Sequence, residues 1–327
     1  MLVSLCLVGC SSPAQVPPAF AASGAASSRA ERVRLWQDAR IFELVRGMIA
    51  SARSRVLVEM YELGRSDLVR ALGEATRRGV SVRVITDPTV GASRSSAAML
   101  DLLGVPERVY PVDDGRHQID HVKLLIADGE AAVGGMNWGA HSYRNHDFVL
   151  ETHVPLEVDR LVSIFDQDWS FAGGMPSPLP AVTEEVAQTT PGEEIRTMLE
   201  SALSHAGRVV LAEVYTLTDS EVIAELAAAH RRGVMVRVLL DPNQSYNYRG
   251  FAVLSTAGVE VRWYPIPKGA LLHAKIGLFD GELVLGSANW TLSGLGVNHE
   301  LDIETEDPGA VMAYAERFAA DWSRSGG

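Results

Sequence analysis

The residues best suited to chemistry stand in a phrase that occurs twice. The first copy is His121-Val122-Lys123-Leu124-Leu125-Ile126-Ala127-Asp128. The second is His273-Ala274-Lys275-Ile276-Gly277-Leu278-Phe279-Asp280. Histidine can act as a nucleophile or carry a proton, and a lysine ammonium is a compact positive charge on a flexible stem. Two positions apart in an extended chain, the two side chains share a face. The chain has only three lysines, Lys123, Lys268 and Lys275, and its other strongly basic residues are all arginine. Lysine therefore persists where a point charge suits an anion better than a planar fork. Each phrase is followed by small residues and an asparagine, Gly134-Gly135-Met136-Asn137-Trp138 and Gly286-Ser287-Ala288-Asn289-Trp290. Small residues let backbone approach a ligand, and the carboxamide adds donors. Two such halves, packed face to face, would set two histidines, two lysines and two asparagines around a single phosphorus.

The elements that must position these groups are also repeated. Arg55-Val56-Leu57-Val58-Glu59-Met60-Tyr61 matches the run from Arg208 to Tyr215 with one insertion. Arg77-Arg78-Gly79-Val80 matches Arg231-Arg232-Gly233-Val234, Asp87-Pro88 matches Asp241-Pro242, and Asn145-His146-Asp147 matches Asn298-His299-Glu300. Helical periodicity near residues 31–52 is followed by a short β-rich run at 55–61. An amphipathic helix at 66–78, stopped by Gly79, leads to a strand at 80–86 that Asp87-Pro88 ends. In the second half, Thr190-Pro191-Gly192-Glu193 and Thr218-Asp219-Ser220-Glu221 have the pattern of capping boxes. Alternating strands and helices predict an α/β fold, a central sheet covered by helices in each half. We place the first half at 31–172, a Pro, Gly, Thr and Glu-rich linker at 173–190, and the second half at 191–327.

Length and composition, 327 residues with 47% hydrophobic and 21% charged, leave ample material for a core. The net charge of −12 argues against a sequence-independent nucleic-acid binder, whose affinity comes from a basic face. Both cysteines, Cys6 and Cys10, lie at the N-terminus, so neither zinc spacing nor a disulfide framework can be drawn. Leu7-Val8-Gly9-Cys10 is similar to a bacterial lipobox, although the expected basic n-region is missing. On that reading residues 1–10 are a truncated lipoprotein signal and 11–30 a flexible tether. Cys10 would be acylated, and the protein would sit on a membrane of the bacterial cell envelope.

The tandem H-x-K-x-x-x-x-D phrases, each followed by G-[GS]-x-N and then N-x-[DE], resemble the phospholipase D superfamily over essentially all of residues 31–322. The resemblance implies two pseudo-symmetric halves, each a mixed sheet covered by helices, with the active site at their interface. It implies a phosphohistidine intermediate, with His121 the nucleophile and His273 the general acid and base. It gives Lys123, Lys275, Asn137, Asn289 and Ser287 to the phosphate oxygens, and makes Asp147 the partner of His121 and Glu300 the partner of His273. Asp128 and Asp280 complete the motif and are expected to be mainly structural. The family works without a metal or other cofactor. Its chemistry fixes the bond type and leaves the substrate open. A phospholipid is the leading expectation, by hydrolysis or phosphatidyl transfer of the cardiolipin-synthase kind. A metal-independent nuclease is the runner-up, and a non-catalytic lipid- or phosphate-binding protein the third reading. One chain carries both motifs, so a monomer suffices for one site.

Five further residues are candidate pocket groups: Glu59 and Glu213 at strand ends, Trp138 and Trp290 after the asparagines, and Lys268 in the loop before the second phrase. His117, His141 and His146 lie near His121 in sequence but have no metal-ligand spacing.

Overall fold

A computed structural model describes residues 32–175, 188–190 and 194–325. Cys10, the signal and the tether lie outside the described residues, as does most of the linker.

The first half comprises β1 (Val33–Gln37), α1 (Ile41–Ser51), β2 (Arg55–Met60), α2 (Ser66–Arg77), β3 (Ser81–Thr86), α3 (Gly91–Leu102), β4 (Glu107–Val109), β5 (Lys123–Ala127), β6 (Glu130–Gly134), β7 (Phe148–Thr152) and α4 (Pro155–Ala172). The second repeats the order: β8 (Gln188–Thr190), α5 (Glu194–His205), β9 (Val209–Val214), α6 (Ser220–Arg231), β10 (Met235–Leu240), α7 (Asn247–Thr256), β11 (Glu260–Trp263), β12 (Lys275–Phe279), β13 (Glu282–Gly286), β14 (Glu300–Thr305) and α8 (Pro308–Arg324). Each half forms a seven-stranded mixed sheet, ordered β1-β7-β6-β5-β2-β3-β4 and β8-β14-β13-β12-β9-β10-β11. The βαβ units keep β2, β3 and β4 parallel, while β5 to β7 run as an antiparallel meander.

Alternation along the strands builds three apolar layers. In β5, Leu124 and Ile126 join the core shared by both halves, while Leu125 and Ala127 join the layer under α1, α2 and α3. The second half has its own outer layer under α5, α6 and α7. The shared core includes Phe165 of α4 and Tyr314 and Phe318 of α8. Strands of both sheets and the last helix of each half therefore bury one another. At roughly 1.5–3 kcal/mol for each large apolar side chain removed from water, this shared layer holds the halves in fixed relation. Among the described residues no helix is long and apolar enough to cross a membrane.

Three local expectations differ from the fold. Val33–Gln37, read as the start of a helix, is a strand paired antiparallel with β7. Pairing supplies hydrogen bonds that a short helical turn there would not. Gln188–Thr190, assigned to the linker, pairs with β14 as the edge strand matching β1. In the second capping box Asp219, not Thr218, is the cap, accepting from the backbone N–H of Glu221 and Val222. Residues 191–193 of the first box lie outside the described residues.

Candidate active site

The two phrases open β5 and β12, the strands next to the first parallel strand of each sheet. Lys123 faces Met60 in register and Lys275 faces Val214. His121 and His273 sit just before these strands, 5% and 6% exposed, and Lys123 and Lys275 are equally buried. Lys123 Nζ donates to the His121 carbonyl. Lys275 Nζ donates to the His273 carbonyl at 2.5 Å and lies 3.1 Å from both ring nitrogens. Tyr61 meets the His121 ring edge-on at 4.8 Å, and Tyr215 meets His273 at the same distance.

Each histidine is oriented by the opposite half. Glu300 accepts from His121 Nδ1 at 2.8 Å, and Asp147 accepts from His273 Nδ1 at 2.7 Å. The expected pairing is thus exchanged. Asp147 does not serve His121 and Glu300 does not serve His273, because the segments bearing them cross the interface. Backbone bonds fix the exchange: His121 N–H donates to the His299 carbonyl (2.7 Å) and His273 N–H to the His146 carbonyl (2.8 Å). A buried carboxylate on Nδ1 holds the tautomer that leaves Nε2 free for chemistry.

The electrostatics of the four groups are mutual. Burial pushes the His121 imidazole below its ordinary range, and the Lys123 and Lys275 ammonium groups add to this against the pull of Glu300. Burial and Lys275 lower His273 to about 4 despite Asp147. Burial lowers Lys123 to about 7 and Lys275 to about 8, with Glu300 and Asp147 opposing. Lys275 acts on His121, and Lys123 on His273, so both halves share one field. Four basic groups thus crowd one buried place with only two carboxylates beside them, and a phosphodiester oxygen would favour their protonated forms.

The remaining expected residues separate into groups. Asn137 and Asn289 follow β6 and β13, each with a buried carboxamide oxygen that has no hydrogen-bond partner among the described residues. Ser287, expected on phosphate, donates its hydroxyl to Glu300 at 2.5 Å and accepts from Leu301 N–H. It fixes the orienting carboxylate instead, with Asn298, which donates to Glu300 Oε1 at 3.1 Å. Gly135 occupies the matching place in the first half, where a Cβ would lie 2.3 Å from Asp147 Oδ1. Asp128 and Asp280 leave the chemistry altogether. Each sits in the left-handed region after its strand and accepts three backbone N–H bonds, from residues 53–55 and 207–209. Trp138 and Trp290 are buried in the outer apolar layers, 2% exposed, and Trp138 lines a small cavity together with Lys123. Glu59 and Glu213 do not form a pocket floor either. Their carboxylates point to His299 (3.3 Å) and His146 (2.8 Å) of the opposite halves. Lys268 is exposed in its loop, next to Gly269, whose Cβ position would lie 3.6 Å from an Arg144 nitrogen.

Sequence reasoning passed over Asp87 and Asp241. Their Oδ2 atoms accept from Asp120 N–H (2.7 Å) and Leu272 N–H (2.8 Å), anchoring the residue before each histidine. The repeated Asp-Pro is the signal in the sequence, marking an anchor for the next phrase as well as the end of a strand. Among the described residues, three His/carboxylate groups have atoms close enough to meet an ion: Glu59–Asp168–His299, Glu130–Glu151–His153 and His146–Glu213–Asp321. In the first and third the histidine already lies within ion-pair distance of both carboxylates.

Comparison with known proteins agrees with this architecture. The family model described as "Cardiolipin synthase, PLD-like domain" matches residues 45–169 and again 199–322. Cardiolipin synthase A of Pseudomonas putida is 28% identical over 305 residues, covering 82% of this chain and 63% of the relative. Mitochondrial cardiolipin hydrolase of Danio rerio is 32% identical over 114 residues, 34% of this chain and 50% of that protein. The chain spans 63% of the length of the first of these relatives. Among solved structures, phosphatidylserine synthase of Haemophilus influenzae superposes with a TM-score of 0.72 at 11% identity, over 90% of this chain and 87% of its own. Polyphosphate kinase of Porphyromonas gingivalis superposes with a TM-score of 0.65 at 17% identity, over 89% of this chain and 47% of its own. These two share the fold. With both halves matched in turn, the chain belongs to the phospholipase D-like family of the cardiolipin-synthase type.

Proposed function

We propose that the protein breaks and remakes phosphodiester bonds of phospholipids, as a phosphatidyltransferase or a phospholipase D. The observation that carries this reading is the pair of His-Lys sites, each completed by a carboxylate of the other half. In the reaction His121 Nε2 attacks phosphorus, and the bond to the leaving alcohol breaks. His273 gives that alcohol its proton. The same imidazole then takes the proton of an acceptor alcohol or water, whose oxygen attacks phosphorus and releases His121. Lys123, Lys275, Asn137 and Asn289 hold the non-bridging oxygens as charge grows there. His121 suits the nucleophile because Glu300, itself fixed by Ser287 and Asn298, holds its ring rigidly. His273 suits the acid. Once a phosphate draws Lys275 off its ring, Asp147 can favour the cation.

The names of the relatives favour a lipid, one a cardiolipin synthase and one a cardiolipin hydrolase. The test is incubation with labelled phosphatidylglycerol vesicles and a primary alcohol, beside single-stranded DNA. Phosphatidyl-alcohol or cardiolipin is the expected product, and phosphatidic acid would make the protein a hydrolase. Cleaved DNA with untouched lipid would overturn the reading in favour of a nuclease. Lipid binding with no product would mean a binding protein. Anchoring through Cys10 in the cell envelope is a separate proposal, supported by the lipobox-like Leu7-Val8-Gly9-Cys10. Labelled palmitate should enter the protein and be lost in Cys10→Ser.

A further inference from the structure

The middle residue of each Asn-His-acid triplet does something the motif chemistry does not require. His146 and His299 precede the two orienting carboxylates, and neighbouring side chains of an extended segment point to opposite sides. Asp147 and Glu300 turn toward the catalytic histidines; His146 and His299 turn away into the other half. His299 Nε2 lies 3.1 Å from Asp168 of α4 and 3.3 Å from Glu59 of β2, and its ring stacks on Tyr110 at 4.3 Å and 8°. His146 Nε2 lies 2.8 Å from Glu213 of β9 and 3.3 Å from Asp321 of α8. Its Nδ1 reaches Asp38 at 2.6 Å, and its ring stacks on Tyr264 at 4.9 Å and 4°. The four carboxylates of the two strands and two helices are 0–3% exposed, and so are placed to hold a cation firmly.

The backbone ties these posts to the reaction centre. His299 N–H donates to Ile119 and its carbonyl accepts from His121. His146 N–H donates to Leu271 and its carbonyl accepts from His273. A histidine post, two backbone bonds and an orienting carboxylate therefore act on one short stretch. Glu59 and Glu213 stand on the strands that pair with the two His-Lys strands, which closes each loop of contacts.

We propose that His146 and His299 are positioning residues, each an imidazolium post that seats the neighbouring carboxylate on the opposite half's catalytic histidine. The inference rests on the proposed phosphodiester chemistry for its effect on rate, but its geometric part does not. Burial alone would lower both imidazoles, and the carboxylates, Asp168 foremost at His299 and Glu213 at His146, hold them well above the ordinary range. The carboxylates around each post favour its protonated form. The two posts are unequal. In the aligned last helices, Asp168-Trp169 matches Asp321-Trp322, so Ile164 stands where Arg317 stands. Arg317 binds Asp321 at 2.6 Å and Asp38 at 2.9 Å and lies 3.0 Å from His146 Nδ1, so at this post a permanent cation shares the carboxylates with the imidazole. The His299 post has Asp120 as a further buried acid beside it, raised to about 7 by burial, where the other half has Leu272.

The experiment compares His299→Leu, His299→Gln and His146→Leu with the parent protein. The imidazole N–H protons are observed by NMR without substrate, and phosphatidyl transfer is then measured. The expected result for His299→Leu is loss or displacement of the His121 Nδ1–H resonance with that of His273 retained. The turnover number should fall ~30-fold or more with KM within ~3-fold, since orientation and not lipid binding is lost. His299→Gln, which keeps a polar N–H group beside Asp168, should recover part of both. His146→Leu should act on His273, and less severely because Arg317 remains. Unchanged resonances in a folded His299→Gln or His299→Leu protein would overturn the proposal, even if stability drops. A parent protein inactive on every phosphodiester, but with the expected resonance changes, would count against the proposed function and not against the posts.

Discussion

Asp147→Asn tests the crossed orientation most directly. Asparagine keeps the shape of the side chain and removes its charge. In the parent, Asp147 Oδ2 lies 2.7 Å from His273 Nδ1, and both groups are buried. At a charge separation near 4 Å and an effective dielectric of about 20, the ion pair formed when His273 takes a proton is worth about 4 kcal/mol. Replacing a charge-assisted hydrogen bond with a neutral one removes about 1–2 kcal/mol on its own. The loss in the transition state should lie between these figures, a fall in turnover of about 10- to 1,000-fold. Single-turnover phosphatidyl transfer from labelled vesicles measures it. The imidazole spectrum locates it: the His273 Nδ1–H resonance should shift while that of His121 stays. A response at His121 instead, or turnover within about threefold of the parent, would refute cross-half orientation as the source of the catalytic histidines' tautomers.

The order of attack is open to trapping. With a substrate bearing a good leaving group, His273→Ala should accumulate a phosphoryl group on His121, and phosphate found on His273 in His121→Ala would reverse the roles. Binding of tungstate, an oxyanion that does not titrate near neutrality, should take up protons. Lys123 and Lys275, lowered to about 7 and 8, and His273, lowered to about 4, all gain affinity for protons beside an anion. Calorimetry in buffers of different ionisation enthalpy should show uptake that grows from pH 7 toward 8, and buffer-independent heats would contradict it. Asp280→Ala should cost about 1–3 kcal/mol of stability, because three backbone N–H groups lose their acceptor, while turnover per folded molecule stays within about threefold. The Asp280 carboxyl is held below the usual range, against burial, by the N–H groups of residues 207–209. Its contribution is therefore present above the ordinary carboxylate pKa and fades as pH falls through the folded value, so the parent and variant melting curves should converge in acid.

Much of this arrangement could be read in the chain because a duplicated sequence displays its own constraints. Two lysines kept in place, two histidines two residues before them, and a repeated order of strands and helices suffice for the fold and the centre of the site. What could not be read is which half completes which histidine. Asn145-His146-Asp147 follows His121 in sequence, and proximity along the chain suggests a local pairing. The backbone bonds from His121 to His299 and from His273 to His146 are long-range, and no spacing encodes them. The role of Ser287 is hidden for a similar reason. A hydroxyl near an asparagine in a glycine-rich turn suits a phosphate, but Glu300 reaches over from β14 and takes it. A repeated aromatic beside a repeated asparagine fits packing as well as function, and Trp138 and Trp290 both fill the outer layer of their own half.

The crossing has a consequence for how the protein can lose activity. If each half completed its own histidine, the halves could part slightly and each would keep a poised imidazole. Here the partner of His121 is carried on β14 and the partner of His273 on the turn into β7, so any separation removes both carboxylates at once. The posts at His146 and His299 make that separation costly, because it would take the imidazoles away from the buried carboxylates of Glu59, Glu213 and Asp168. Local opening is thus suppressed where it would do most harm. The same logic explains why the motif aspartates lie so far from the chemistry. Asp128 and Asp280 fix the far ends of β5 and β12 to the turns before β2 and β9, so each His-Lys strand is anchored at one end by its own half and at the other by its partner. A strand held at both ends can present a histidine and a lysine in fixed register to a phosphorus that neither half could bind alone.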